Sequence, residues 1–205
     1  MKKAGRVGVL ISGRGSNLQA LIDAQAAGTL GGAIVVVVSN VAGAAGLERA
    51  HAAGIPTHVR EHRGLPRADH EAQVLELLHA ARVDLVCLAG YMRLHSAAFV
   101  NDAPGPILNV HPSLLPAFPG LEAQRQAWEH GVKVSGATVH LVDAALDAGP
   151  IVLQEAVPVR AGDSAESLAA RILEAEHRIF PRAVHIVLGG RYRVEGRRVL
   201  AQEET

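Results

Sequence analysis

The sequence predicts an α/β fold: a mostly parallel twisted sheet with helices on both faces and an antiparallel strand pair in the C-terminal half. Three observations predict it. Short apolar runs alternate with longer segments of helical period, the pattern of repeated βα units around a sheet buried on both sides. Two strand-like runs, 133–142 and 151–159, are separated by a loop too short for a helical crossover, so they pair antiparallel. The chain has 205 residues, 49% of them hydrophobic, which suits one core rather than several.

Residues 6–11 read as the first strand, and 17–27 as its crossover helix, with Leu18, Leu21 and Ile22 on one face and Gly28 just past the end. The second strand is 33–39. A helix over 46–53 stops at Gly54, a short strand spans 56–60, and a helix over 67–81 turns Val74, Leu75, Leu77 and Leu78 inward. Residues 84–88 form the next strand. A short helix begins at Ser96, and Pro104-Gly105-Pro106 forces a turn before the strand 107–111. Trp128 lies on an amphipathic helix and is expected to pack in the core. Asp163-Ser164-Ala165-Glu166 has capping-box spacing with Asp163 as the cap, and opens the longest helix, 164–188, which Pro181 should end or kink. Residues 191–200 read as a terminal hairpin turning at Glu195-Gly196, and 202–205 as a frayed end.

Composition narrows the function. The formal net charge is +0, so no basic surface for nucleic acid is indicated, and a small polar metabolite is the expected partner. The longest aliphatic run, 33–38, is far too short to span a bilayer, and the segment after Met1-Lys2-Lys3 lacks the pattern of a signal peptide. A cytoplasmic location is expected. The lone Cys87, between Val86 and Leu88, reads as a core residue.

Ser12-Gly13-Arg14-Gly15-Ser16-Asn17 joins a buried strand to a helix, so backbone N–H groups and the positive end of the helix dipole converge where an anion can sit. A bare Gly-x-Gly is as readily a tight turn. Leu18 stands where a dinucleotide fingerprint needs a third glycine, and no lysine follows as a nucleotide-triphosphate loop requires. A single-phosphate site remains, with the Ser16 hydroxyl and Asn17 amide adding hydrogen bonds.

Asn109 and His111 are two apart at the end of a strand, so their side chains share a side, and Pro112 holds His111 extended. A neutral amide suits a developing oxyanion, and an imidazole exchanges protons near neutral pH. That pairing suits acyl transfer to an amine, although a turn-capping Asn and a satisfied buried His are the default for an isolated Asn-x-His. The loop that follows carries Pro112, Pro116, Pro119 and Gly120 and is stiff. Asp143 and Asp147 lie between the two antiparallel strands; Asp147, before Ala148-Gly149-Pro150, is the candidate that orients the imidazole, with a turn-capping role equally open. His-Glu-x-x-His, Cys-x-x-Cys and Gly-x-Ser-x-Gly are absent, so neither a metal nor a serine nucleophile is expected. His58 and His62 are expected to be solvated.

Four blocks carry a resemblance: Ile11-Ser12-Gly13-Arg14-Gly15-Ser16-Asn17-Leu18-Gln19, Leu88-Ala89-Gly90-Tyr91-Met92-Arg93, Asn109-Val110-His111-Pro112-Ser113-Leu114-Leu115-Pro116 and Leu146-Asp147-Ala148-Gly149-Pro150-Ile151. The chain resembles the folate-dependent phosphoribosylglycinamide formyltransferases along nearly its whole length. The resemblance implies a Rossmann-like fold, 10-formyltetrahydrofolate as co-substrate without a metal, and phosphoribosyl glycinamide as acceptor. It implies that Asn109, His111 and Asp147 are catalytic, and that Gly13, Gly15, Ser16 and Asn17 hold the acceptor phosphate, with Glu176 on its ribose. It implies a pterin lying against Met92, Arg93, Leu94, His95 and the loop Asp143, Ala144, Ala145, Leu146, with Arg67 meeting a folate carboxylate. Residues 1–205 then form one formyltransferase domain: a phosphate-binding half, 1–100, a catalytic and folate-binding half, 101–190, and a terminal hairpin and tail, 191–205. Leu173 departs from the pattern, standing where some relatives carry Gln. A methionyl-tRNA formyltransferase should add a basic domain, a formyltetrahydrofolate hydrolase an N-terminal regulatory one, and a non-catalytic phosphate-binding module would use the glycine loop alone. The expected partners are small molecules, with no nucleic acid or membrane, and the chain is a monomer or homodimer.

Overall fold

The structure, a computed structural model, describes residues 4–201, so the expected frayed end at 202–205 lies outside the described residues. In chain order the elements are β1 (Gly5–Ile11), α1 (Ser16–Ala26), β2 (Gly32–Ser39), α2 (Gly46–Ala52), β3 (Thr57–Val59), α3 (Arg67–Ala80), β4 (Leu85–Leu88), α4 (Ala97–Asp102), β5 (Ile107–His111), α5 (Ala123–Glu129), β6 (Val134–Leu141), β7 (Ile151–Pro158), α6 (Ala165–Gly189), β8 (Tyr192–Glu195) and β9 (Arg198–Ala201). They build one sheet in the order β3-β2-β1-β4-β5-β6-β7-β9-β8. The first five strands are parallel, and β6 runs antiparallel to both β5 and β7, as the short 143–150 connection requires. The terminal hairpin forms as expected and extends the sheet, β9 meeting β7 at Ile151 and Arg198.

Strand alternation divides the core in two. Val7, Val9 and Ile11 of β1, Leu85 and Cys87 of β4, and Leu108 and Val110 of β5 pack with α1, α2 and α6. Leu10, Val86, Leu88 and Ile107 point the other way, onto Val74 and Leu78 of α3 and Phe99 of α4. Beyond β5 that second face changes character. Asn109 and His111 on β5 pair with His140 and Thr138 on β6, and Gln154 of β7 pairs with Thr138. Polar side chains thus continue a face that is apolar under α3 and α4.

Several local expectations are corrected. Pro181 lies inside α6 without ending it, because Ile179, Phe180, Ala183, Val184 and Val187 around it are buried; their burial outweighs the roughly 3 kcal/mol of a helical proline. The cap of α6 is Ser164, in a reciprocal box with Ser167, while Asp163 is drawn off by the guanidinium of Arg171. Trp128 is 42% exposed rather than core, its Nε1 donating to the Asp163 carbonyl at 2.7 Å. His58 and His62 are half-buried, not solvated, and His62 Nδ1 lies 3.2 Å from Asn40 Nδ2. Among the described residues no helix is long and apolar enough to cross a membrane.

Candidate active site

Strand order reverses between β1 and β4, so the loops leaving their carboxyl ends open a crevice. On one side of it lies the loop 12–17. Gly15 adopts φ 71°, and a Cβ there would stand 2.5 Å from the Gly46 Cα, so glycine is required both by conformation and by close approach to α2. The Gly46 N–H donates to Gly13 O at 3.0 Å, and Arg49 Nε donates to Arg14 O at 2.9 Å. Ser12 donates its hydroxyl to Asn40 Oδ1 at 2.6 Å and accepts the Met92 N–H at 2.8 Å, tying this loop to the next. A Cβ on Gly13 would meet nothing within 4 Å, so that glycine leaves open space. Ser16 begins α1, whose first N–H groups have no acceptor within the helix.

Asn17 and Glu176, paired from opposite ends of the chain, meet here: Asn17 Nδ2 donates to Glu176 Oε2 at 2.6 Å, and both residues are buried. Burial pushes the Glu176 carboxyl up to about 7, against the opposing pull of the Asn17 amide. Asn17 Oδ1 is buried with no protein partner, an acceptor awaiting a donor.

The other side of the crevice is made of side chains. His111 is 4% exposed; its Nε2 donates to the Phe118 carbonyl at 2.9 Å, and its Nδ1 lies 3.4 Å from Asp147 Oδ2. Both ring nitrogens therefore face groups that only accept. Asp147 has φ 49°, a left-handed turn residue, and its Oδ2 also accepts the Gly120 N–H at 2.8 Å. Burial alone would raise the Asp147 carboxyl, but His140, the Gly120 amide and His111 outweigh it and hold the group below the usual carboxylate range. Of the two candidate aspartates, then, Asp147 reaches the imidazole, whereas Asp143 accepts the Ala145 N–H at 2.9 Å in its own turn.

His140 was missed in the sequence. Its Nδ1 donates to the Leu141 carbonyl at 3.0 Å, and its Nε2 lies 3.2 Å from Asn109 Nδ2. Its Nε2 is also 3.7 Å from Asp147 Oδ1. The available signal was alternation: in Val134–Leu141, Thr138 and His140 share the side opposite to Ala137 and Val139.

The 112–120 loop is stiff for more than its prolines. Thr138 donates its hydroxyl to Ser113 O at 2.6 Å and accepts the Leu115 N–H at 3.0 Å, and Gln154 Nε2 donates to Leu115 O at 2.9 Å. The neck of the 143–149 loop is equally tight. Leu141 N–H donates to Pro150 O at 2.9 Å, and a Cβ on Gly149 would fall 1.8 Å from Leu141 O. Above that neck Asp143, Ala144, Ala145 and Leu146 are exposed, as are Met92 at 67% and Leu94 at 63%, while Arg93 is half-buried. The His95 ring instead turns inward, between Tyr91 and Phe99, and presents only its backbone to the crevice. Arg67 stands at the start of α3, its side chain 46% exposed.

Comparisons with known proteins give the family. Residues 5–184 match the family model described as formyl transferase. The chain is 47% identical to phosphoribosylglycinamide formyltransferase of Escherichia coli over 91% of this chain and 88% of that one. A solved glycinamide ribonucleotide transformylase 1 from Symbiobacterium toebii superposes with a TM-score of 0.96 at 53% identity, covering 99% and 96% of the two chains. This chain is also 50% identical over 92% of its length to the human trifunctional purine biosynthetic protein adenosine-3, of which it spans 19%.

Proposed function

The chain belongs to the formyl transferase family, and from that premise we propose that it moves the formyl group of 10-formyltetrahydrofolate onto the amine of phosphoribosyl glycinamide. The products are formylglycinamide ribonucleotide, an intermediate of purine biosynthesis, and tetrahydrofolate. One observation carries the reading: Asn109, His111 and Asp147 converge with His140, with contacts of 3.2, 3.4 and 3.7 Å, on the sheet face opposite to the buried Val110, Ala137 and Val139.

The acceptor nitrogen attacks the formyl carbon, and the new C–N bond leaves a tetrahedral oxyanion. Asn109 donates to it with the amide hydrogen that His140 does not take, and His140 fixes the direction of that amide. His111 shares its Nδ1 edge between Asp147 and the reacting atoms; at 3.4 Å the carboxylate supports positive charge on the ring without closing that edge. Collapse breaks the bond to the folate nitrogen, which gains a proton as the acceptor amine gives one up. Removing Asn109, His111 or Asp147 leaves binding but not the stabilised intermediate.

The backbone around Gly13, Gly15, Ser16 and Asn17 suits the acceptor phosphate, because fixed N–H groups meet a fixed charge. Glu176 and the unpartnered Asn17 Oδ1 suit a ribose hydroxyl. Met92, Leu94 and Leu146 supply exposed apolar surface for the pterin, and Arg67 a cation for the folate carboxylate. The deciding assay gives purified protein both substrates and follows deformylated folate against formylated product. Release in step with acceptor consumption is expected; release that ignores the acceptor would replace transfer by hydrolysis.

A further inference from the structure

Glu71 lies on the inner face of α3, 6% exposed, and is neither a catalytic residue nor a donor contact in the reading above. Its carboxylate is shared between two places. Oε1 accepts Arg67 Nε at 3.1 Å and the Ser96 N–H at 2.8 Å, and Oε2 accepts the Ser96 hydroxyl. Burial works to raise this carboxyl, but the two Ser96 donors and Arg67 prevail and keep it below the ordinary range, an anion at neutral pH.

The segment it holds is pinned from the other side by rings. His95 stacks on Phe99 at 4.0 Å and 15°, and on Tyr91 at 5.4 Å and 4°. Burial takes the His95 ring down to about 4, so it is neutral there, and both its nitrogens lack hydrogen-bond partners. Stacking seats it, with Nδ1 also 3.9 Å from Glu71 Oε1. The stack at Tyr91, His95 and Phe99 and the Glu71 bonds to Ser96 anchor this segment, yet Met92 and Leu94 remain exposed. At the other end of the same carboxylate, Arg67 is engaged only through Nε among the described residues, leaving its two terminal nitrogens for an outside anion.

We propose that Glu71 is a positioning residue for the formyl donor: through Arg67 it aims a cation at the donor's acidic tail, and through Ser96 it sets the 92–95 wall against the donor's aromatic head. The inference rests on the donor assigned above. A flexible arginine fixed beforehand loses less freedom on binding, and one carboxylate gives both contacts a common frame. An Arg67–Glu71 pair that merely stabilised α3 would leave donor kinetics alone.

The test compares 10-formyltetrahydrofolate with 10-formyltetrahydropteroate, which lacks the glutamate tail, in the wild type and in Glu71→Gln, Arg67→Ala and Ser96→Ala. Wild-type turnover with acceptor present is established first; its absence would fault the formyl-transfer reading rather than this one. Glu71→Gln should raise KM roughly tenfold for the tailed donor and only a few-fold for the tailless one, with kcat and acceptor KM within about twofold. Arg67→Ala should raise KM with the tailed donor alone, and Ser96→Ala with both. An unchanged donor KM in Glu71→Gln, or equal rises for donor and acceptor, overturns the proposal. Should that variant not fold, a Ser96→Ala protein with wild-type KM for both donors overturns it equally.

Discussion

The two sides of the crevice are built from different materials. The 12–17 side is backbone, a left-handed glycine pressed on α2 and the start of a helix, whereas the 109–147 side is a cluster of side chains from two antiparallel strands and a loop. Under the proposed function, the difference follows from the charges each would meet. A phosphate is charged before and after reaction, so fixed dipoles serve it and nothing need titrate. An oxyanion exists only in passing, so its site needs groups that can share or return protons.

The sharpest way to break this contrast is Asp147→Asn. An amide cannot support the His111 ring as a carboxylate does, and kcat should fall by roughly two or more orders of magnitude, as when other orienting carboxylates are lost. Acceptor KM should stay nearly constant in the same steady-state data. A loss falling on KM instead would mean that both sides share one role. Gly15→Ala tests the other side. The left-handed backbone at φ 71° costs an alanine about 1–2 kcal/mol, and the clash with Gly46 adds to it. Acceptor KM should rise roughly tenfold and the melting temperature fall by several degrees, with kcat much less affected.

A smaller effect sharpens the comparison by pH. The folded carboxyl of Glu176 titrates near 7 rather than 4.5, so its contribution to stability is complete below about 4.5 and is lost as pH rises through 7. Melting curves of the wild type should drop by a few degrees between about pH 5 and 8, while Glu176→Gln should lose that part of the slope. Parallel curves for the two proteins would remove Glu176 as the titrating group.

Much of this was legible in the chain because it is local. Residues 107–111 were bounded correctly because Pro106 and Pro112 punctuate the strand, and the βα alternation sets the sheet by itself. What was hidden depends on partners distant in sequence. His140 looks like one more residue of an apolar strand until Asn109 is brought opposite it by antiparallel register. Nothing local in the sequence marks Glu71, because Ser96 reaches it from beyond β4. The cap of α6 moved by one residue because Arg171, eight positions along, takes Asp163 away. At Pro181 the helix does not end, because the residues buried around it outweigh a local penalty that the sequence shows alone.

The closed neck between Leu141 and Gly149–Pro150 separates two things the loop does. The aim of the carboxylate is set below, where neither strand has room to shift, while the rim proposed to meet the donor is carried above on four exposed residues. Exchanging Ala144 or Ala145 is therefore expected to change what the rim admits while the geometry beneath is kept.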